Sequence, residues 1–270
     1  LHDMDGRMIA AVARKYPLRR ERNGFVEQRV DDWWGAIRET TCELAEQAKS
    51  RGAAIDAVGM SGQMMGAVFL DSSGRSVRPA IIWEDQRATA QAARVKMLVG
   101  ARRFFDITGH RAHASYTLPK LMWVRENEPE VWRRVTQVCL AKDYIVREMS
   151  GVLVTDPSDA SGTDAFDQRS GCWSEEILEA AGVDTSVMPE IRCSTSVVGG
   201  VTRKAAPELG LRQGTPVVLG GGDGPMASVG AGAVSAAAAP YLCLGTSAWI
   251  AAAADTLVRD PMMRTFTFTH

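Results

Sequence analysis

The chain has 270 residues, of which 46% are hydrophobic and 23% are charged, and its formal net charge is −1. This composition is typical of a globular protein. No apolar run approaches the roughly 18–20 residues of a membrane span, and the balanced charge argues against a general nucleic-acid-binding protein. The five cysteines are odd in number and form no Cys-x-x-Cys pair, which predicts buried, reduced thiols in a cytoplasmic protein.

Strand signals alternate with helical periodicity along the chain, which predicts an α/β fold. In its first half we predict a hairpin arm at 7–13, a helix capped by Asp31 or Asp32 and ending near 49, strands at 55–60, 67–70 and 79–83, and helices at 86–99, 118–126 and 130–135. In its second half we predict a strand at 137–140, a helix at 143–149, a helix capped by Ser174 and ending at 181, a strand at 215–219, a helix at 226–234, and strands at 241–244 and 248–253.

The small-residue segment 235–240 is the best candidate for a domain boundary. Residues 155–163 are rich in turn formers, and structural turns are their default interpretation. Both ends of the chain look like cuts, because it begins without methionine and stops inside a β-like run at 264–270. We therefore expect that the chain is a fragment.

The strongest local feature is the segment 220–225, Gly-Gly-Gly-Asp-Gly-Pro, at the end of a buried strand. It delivers the carboxylate of Asp223 to a helix N-terminus, whose partial positive charge favours the ionised form. The flanking glycines let a substrate approach, as a general base for a hydroxyl requires. The alternative is an aspartate that caps a helix after a glycine turn.

The same segment matches a relaxed dinucleotide fingerprint through Gly222, Gly224 and Ala227. Asp223 would then repel the pyrophosphate, and no acidic residue lies about 20 residues further on to hold a ribose. We therefore reject a dinucleotide-dependent oxidoreductase.

Three further segments contain residues that could bind a ligand. Gly245, Thr246 and Ser247 lie between two predicted strands, where they form either a phosphate cradle or an ordinary β-turn. Segments 61–66 and 83–87 each follow a predicted strand, and together they offer an aromatic face with polar groups, as sugar sites do. The alternative is a core methionine pair and a surface Arg–Asp pair. His110 and His113 lie in a polar loop and show no convincing metal-ligand spacing.

Taken in order, these segments resemble the FGGY family of carbohydrate kinases, and most closely its xylulose kinase branch. No single segment is decisive, but the ordered set is highly specific and spans nearly the whole chain. The matching segments are 59–66 (Gly-Met-Ser-Gly-Gln-Met-Met-Gly), 79–87 (Pro-Ala-Ile-Ile-Trp-Glu-Asp-Gln-Arg), 108–109 (Thr-Gly), 118–123 (Leu-Pro-Lys-Leu-Met-Trp), 142–144 (Lys-Asp-Tyr), 155–163 (Thr-Asp-Pro-Ser-Asp-Ala-Ser-Gly-Thr), 220–223 (Gly-Gly-Gly-Asp) and 244–247 (Leu-Gly-Thr-Ser).

The resemblance implies a mixed-sheet, ribonuclease-H-like (actin-like) α/β domain at 1–235, which lacks its first strand, and the first hairpin of a second such domain at 236–270. It implies transfer of phosphate from ATP, with Mg²⁺, to a ketopentose such as D-xylulose in a cytoplasmic enzyme that acts on a small sugar, with homodimerisation a possibility. Asp223 would be the general base and Gly245, Thr246 and Ser247 the phosphate loop, with no protein-borne metal site. The sugar pocket would be lined by Met64, Met65, Trp83, Asp85 and Arg87.

Two departures from the family pattern qualify this prediction. Met65 stands where xylulose kinases usually carry histidine, so the sugar could differ, for example ribulose or a polyol. The family's opening Asp-x-Gly-Thr strand and most of the adenine-binding domain lie outside the chain, so we expect the chain alone to be an inactive kinase. The alternative from another class is a catalytically silent sugar-binding module.

Overall fold

The computed structural model describes residues 1–244 and 248–269. The helices, in chain order, are α1 (Val30–Ser50), α2 (Thr89–Val99), α3 (Ala101–Thr108), α4 (Thr117–Asn127), α5 (Pro129–Trp132), α6 (Ala141–Ser150), α7 (Pro157–Ser161), α8 (Glu175–Ala181), α9 (Ala205–Leu209) and α10 (Asp223–Gly230), with a 3₁₀ turn at Thr185–Val187. The strands, in chain order, are β1 (Glu27–Gln28), β2 (Val58–Gly62), β3 (Val68–Leu70), β4 (Ala80–Ile81), β5 (Gln137–Cys139), β6 (Val154–Thr155), β7 (Phe166–Asp167), β8 (Cys172–Trp173), β9 (Glu190–Ile191), β10 (Val197–Gly200), β11 (Pro216–Gly222), β12 (Tyr241–Leu244) and β13 (Ala248–Ala251).

Strand β11 is the centre of a three-stranded sheet and leads directly to Asp223. It pairs antiparallel with β10 on one side and parallel with β2 on the other. The parallel pairing places Gly221 opposite Ser61 and Gly222 opposite Gly62. The carboxyl ends of β2 and β11 therefore lie side by side, and α10 begins at the next residue.

The glycine run in β11 has a steric cause. The register between β11 and β2 shifts between Val218 and Gly221, and Gly220 has φ +68°, which favours glycine. A Cβ atom at Gly220 would lie 1.7 Å from the carbonyl oxygen of Met60. The strand can therefore bulge next to β2 only because residue 220 has no side chain.

Two apolar cores lie on opposite sides of β3. Val68 and Leu70 pack into the core that α1, α6, α9 and β11 share, whereas Phe69 packs into the core formed by α2, α3, α4 and α8. All three side chains are buried, because successive residues of a strand point to opposite faces. The remaining paired strands are short: β1 with β4, β3 with β5, β6 with β9, β7 with β8, and β12 with β13.

Most predicted elements are present, with shifted ends. Residues 67–70 and 137–140 contain β3 and β5 as predicted, and the Ser174 hydroxyl caps α8 by accepting from the Ile177 N–H. The prediction that Asp31 or Asp32 caps α1 is wrong, because the helix begins at Val30 and both acids lie in its first turn. Helix α10 begins at Asp223, three residues before the predicted start.

Three other sequence predictions are wrong. The hairpin arm at 7–13 forms only the isolated bridge between His2 and Met8. Residues 155–163, which we interpret from the sequence as structural turns, contain the short helix α7. Of the cysteines, only Cys139 is buried, while Cys172 and Cys193 are exposed. These segments depend on tertiary contacts rather than on local periodicity.

The C-terminal segment packs against the ends of α3 and α7. Within residues 252–269, all of which the structure describes, no strand forms, so the β-like run is extended chain. The Thr267 N–H donates to the Gly109 carbonyl at 3.1 Å, and the Thr269 N–H donates to the Ser161 hydroxyl at 3.1 Å. Among residues 1–244 and 248–269, no helix combines membrane-spanning length with the necessary apolar character.

Candidate functional site

Asp223 is the first residue of α10 and is exposed. The neighbouring Gly224 N–H donates to its Oδ1 atom at 2.9 Å. Partial desolvation raises the pKa of the Asp223 carboxyl, and nearby backbone N–H groups, including those of Gly224 and Met64, oppose this shift. A carboxylate held in this way can accept a proton from a hydroxyl group.

Met64 lies beside this carboxylate, and Met65 is the next residue along the chain. Met64 is 6% exposed, and a Cβ atom at Gly222 would lie 2.4 Å from its Cγ atom. A Cβ atom at Gly162 would lie 3.2 Å from Met64 Cε and 3.5 Å from Met65 Cγ. The structure therefore brings Met64 next to the Gly222–Asp223 turn, whereas the Met65 side chain lies against Gly162.

Trp83, Asp85 and Arg87 have different surroundings. Trp83 is 40% exposed and can contact a ligand, whereas Asp85 has no exposed surface and the Arg87 side chain is 1% exposed. Arg87 Nη2 donates to Asp85 Oδ2 at 2.7 Å, and Arg87 Nη1 lies 2.8 Å from Glu27 Oε1. Asp85 and Arg87, which the resemblance assigns to the sugar pocket, are thus buried and paired with protein groups.

Further contacts complete this buried pair. The Val26 N–H donates to Asp85 Oδ2 at 2.6 Å, and the Arg87 guanidinium stacks 3.9 Å from the Phe25 ring centroid. The arrangement fixes the chain immediately after Trp83. Asp85 and Arg87 therefore contact the segment 25–27 and are not exposed on the surface.

A buried charge cluster lies behind the Gly222–Asp223 turn, and sequence reasoning missed it. Lys142 Nζ is 2.8 Å from Asp143 Oδ1, 3.2 Å from Asp156 Oδ1 and 3.4 Å from Asp159 Oδ2, with all four side chains fully buried. Burial alone would lower the pKa of Lys142, but attraction by the three carboxylates outweighs it and raises that pKa. The cluster joins α6 and α7 beneath the site.

Asp159 is the carboxyl group in this cluster that lacks a hydrogen-bond donor. Neither of its oxygens accepts a hydrogen bond from a described residue, and burial raises its pKa well above the usual range. Ser158 bridges from the cluster to the site: its hydroxyl donates to Asp156 Oδ2 at 2.5 Å and accepts from the Gly222 N–H at 2.9 Å. The signal in the sequence was the Asp156-Pro157 pair, which is typical of a helix start.

The remaining predicted residues lie elsewhere. Gly245, Thr246 and Ser247 fall outside the described residues, although the flanking strands β12 and β13 pair antiparallel as a hairpin. His110 is fully buried, its Nε2 atom is 2.8 Å from the Ser161 carbonyl oxygen, and its ring stacks on Tyr116. His110 therefore lies in the protein interior rather than in the polar loop that the sequence indicated.

Solved structures with the same fold are sugar kinases. The ligand-bound xylulose kinase from Lactobacillus acidophilus matches with a TM-score of 0.93 at 26% identity, covering 99% of this chain and 54% of that one. The gluconate kinase from the same organism matches with a TM-score of 0.86 at 26% identity, covering 92% and 50%. The predicted ribonuclease-H-like, actin-like α/β fold is confirmed.

The chain belongs to the FGGY family of carbohydrate kinases, because the model of that family's N-terminal domain matches residues 1–230. Xylulose kinase from Bacillus subtilis (strain 168) is 34% identical over 271 residues, which are 100% of this chain and 54% of the relative. Xylulose kinase from Escherichia coli (strain K12) is also 34% identical, over 98% of this chain and 54% of its own length. The chain spans about half the length of the curated relatives it matches.

Proposed function

We propose that the complete protein containing this chain is a xylulose-kinase-like sugar kinase, in which Asp223 is the general base. The observation that carries this proposal is the position of Asp223: an exposed carboxylate at the end of β11, beside Met64 and at a helix N-terminus. The similarity to xylulose kinases in two bacteria supports a ketopentose or a related polyol as the substrate.

In the proposed reaction, one hydroxyl group of the sugar donates its proton to a carboxylate oxygen of Asp223. The resulting oxygen nucleophile attacks the γ-phosphorus of ATP, the bond to the β-phosphate oxygen breaks, and ADP leaves. Such a reaction depends mainly on positioning and on neutralisation of charge. The raised pKa of Asp223 makes it a better proton acceptor than an ordinary carboxylate.

The nucleotide would bind through residues beyond the Asp223 site. We propose that Gly245, Thr246 and Ser247 hold its phosphates, that residues 1–235 form the sugar-binding domain, and that residues 236–270 begin the ATP-binding domain.

Mg²⁺ in nucleotide sites takes only one or two protein carboxylates. No group of three or more potential ligands occurs among residues 1–244 and 248–269, so we propose that Mg²⁺ enters with the ATP phosphates. ATP dependence places the enzyme in the cytoplasm, and a homodimer remains a prediction from the resemblance.

The sugar side of the site favours apolar contact. Met64, Met65 and Trp83 offer thioether and ring surfaces, whereas the Asp85 and Arg87 charges are covered. A thioether is only a weak hydrogen-bond acceptor, so we propose that Met65 faces a carbon–hydrogen face of the sugar rather than a hydroxyl group. This would shift preference among ketoses and polyols relative to enzymes with histidine at this place.

The test is Asp223→Asn in the complete protein, with release of ADP measured over a panel of ketoses and polyols. We expect the turnover with the best sugar to fall by roughly 10²-fold or more, because proton transfer to a positioned base is lost. Asp56→Asn is the matched control: it also removes one carboxylate, and Asp56 is 76% exposed and lies far along the chain, before β2. Turnover of Asp223→Asn within a few-fold of the wild type would contradict the assignment.

A further inference from the structure

The turn that follows β2 has an unusual backbone. Met65 adopts φ +65°, in the left-handed region where residues other than glycine are rare. This conformation costs on the order of 1–3 kcal/mol and persists only where the surroundings impose it. The side chain of Met65 belongs to the proposed sugar pocket, so whatever imposes this conformation also positions part of the pocket.

The first turn of α4 supplies the restraint. Lys120 Nζ donates to the Met65 carbonyl oxygen at 2.7 Å and also donates to the Ser115 carbonyl oxygen. The Thr117 hydroxyl donates to the Gly66 carbonyl oxygen at 2.9 Å. Lys120 and Thr117 are both buried. Two buried side chains from one helix thus hold the two successive carbonyl groups of the turn.

The charge of Lys120 is not needed for packing. Among residues 1–244 and 248–269, no carboxylate lies within ion-pair distance of its ammonium group. Burial lowers the pKa of Lys120 to about 7, although Asp85 and Asp164 attract the ammonium group, and Arg87 opposes it. Asp164 is itself 3.2 Å from His110 Nδ1. A methionine of similar length would pack here without this electrostatic cost.

We propose that Lys120 is a positioning residue for the sugar, which holds the Met65 carbonyl and thereby fixes the sugar-facing side of the turn. This inference rests on the proposed function, because it assigns the turn to the sugar site. Lys120 contacts backbone rather than substrate, so its loss should weaken sugar binding and leave the phosphoryl transfer step at Asp223 largely unchanged.

The first test observes the turn directly and needs no activity. Met-Gly occurs once in this chain, at Met65-Gly66, so carbonyl-¹³C methionine and ¹⁵N glycine labels give one correlated NMR peak from it. We expect the Met65 carbonyl resonance to titrate near neutral pH in the wild type, and to move upfield and stop titrating in Lys120→Met. Lys96→Met, at an exposed position of α2, should leave the peak and its titration unchanged. An unmoved peak in folded Lys120→Met would overturn the proposal.

The second test measures sugar phosphorylation by the complete protein. For Lys120→Met we expect KM for the best sugar to rise about tenfold or more, as loss of a charge-assisted hydrogen bond predicts, with kcat within about threefold of the wild type. Thr117→Val removes only the neighbouring hydrogen bond and should raise KM less. If Lys120→Met fails to fold, Thr117→Val decides, and an unchanged KM in it overturns the proposal. A fall in kcat at constant KM also overturns it.

These outcomes separate the two proposals. If the wild type phosphorylates no sugar while the Met65 peak titrates and responds to Lys120→Met, the proposed function fails and the positioning of the turn stands. If the wild type is active but the peak does not respond to Lys120→Met, the role of Lys120 fails and the sugar kinase stands.

Discussion

Two glycines on either side of Asp223 provide a stringent test of the site geometry. A Cβ atom at Gly222 would lie 2.4 Å from Met64 Cγ, 2.6 Å from Met64 Sδ and 3.1 Å from Asp159 Oδ1. A Cβ atom at Gly224 would meet only Met64 Sδ, at 3.7 Å. Gly222→Ala and Gly224→Ala therefore add the same methyl group at positions two residues apart. At residue 222 the space is occupied, and at residue 224 it is open.

The expected difference in stability is large for one methyl group. Carbon atoms pack best at roughly 3.5–4.0 Å, so Gly222→Ala must displace the buried Met64 side chain by about 1 Å. Overpacking of this kind costs about 1–3 kcal/mol. Gly224 lies in α10 and has ordinary φ, so alanine there should stabilise the helix by up to about 1 kcal/mol.

The assay is urea unfolding followed by tryptophan fluorescence. We expect Gly222→Ala to have a lower midpoint than the wild type and Gly224→Ala to have an equal or higher one, with the same slope for all three proteins. In the complete protein, Gly222→Ala should also lower kcat/KM, because Met64 and Asp223 move apart. Equal midpoints for the two variants would refute the packing of Met64 against the Gly222–Asp223 turn.

Three other predictions follow from buried charges. Lys142→Met should reduce the free energy of unfolding by roughly 3–5 kcal/mol because it leaves buried carboxylates unpaired; urea titration measures this loss. Arg87→Lys should lower the free energy of unfolding by on the order of 2 kcal/mol, because lysine cannot both pair with Asp85 through several donors and stack on an aromatic ring. Urea titration measures this change, and an unchanged midpoint would contradict the buried Asp85–Arg87 pair. The free energy of unfolding of the wild type should rise relative to that of Lys120→Met between about pH 7 and pH 10.5. The reason is that the pKa of Lys120 is about 7 in the folded protein and 10.5 in the unfolded chain, so the folded state binds fewer protons in this range. A constant difference between the two proteins across this range would contradict the lowered pKa of the buried amine.

The position of the catalytic candidate could be predicted from the sequence because its signals are local. A largely apolar run at 215–219 followed by Gly-Gly-Gly-Asp-Gly-Pro indicates a buried strand that turns into a helix. The sequence, however, predicts a helix start at Met226, three residues after the observed one. Pro225 nevertheless tolerates the first turn, where no N–H donor is required, so the structure starts the helix at Asp223.

The surroundings of the site could not be predicted because they depend on distant segments. Asp85 and Arg87 follow an exposed tryptophan in sequence, which favoured a role in the pocket, yet Glu27 and Phe25 of a remote segment cover them. In the same way, nothing near Lys142 in the sequence indicates that Asp156 and Asp159 surround it. Periodicity reports which face of an element is buried, but not which charges meet there.

The buried charges also explain how an exposed carboxylate can be held in place with few hydrogen bonds of its own. Asp223 receives the Gly224 N–H, while the residue before it donates to Ser158, whose partner Asp156 is paired with Lys142. The links from Gly222 to Lys142 are buried, so water does not compete for them, whereas the Gly224 hydrogen bond to Asp223 is exposed. Lys120 does the same for Met65 from the opposite side, through the backbone. Both halves of the proposed site are therefore fixed from behind by buried amines, which leaves their outward-facing atoms free for the sugar.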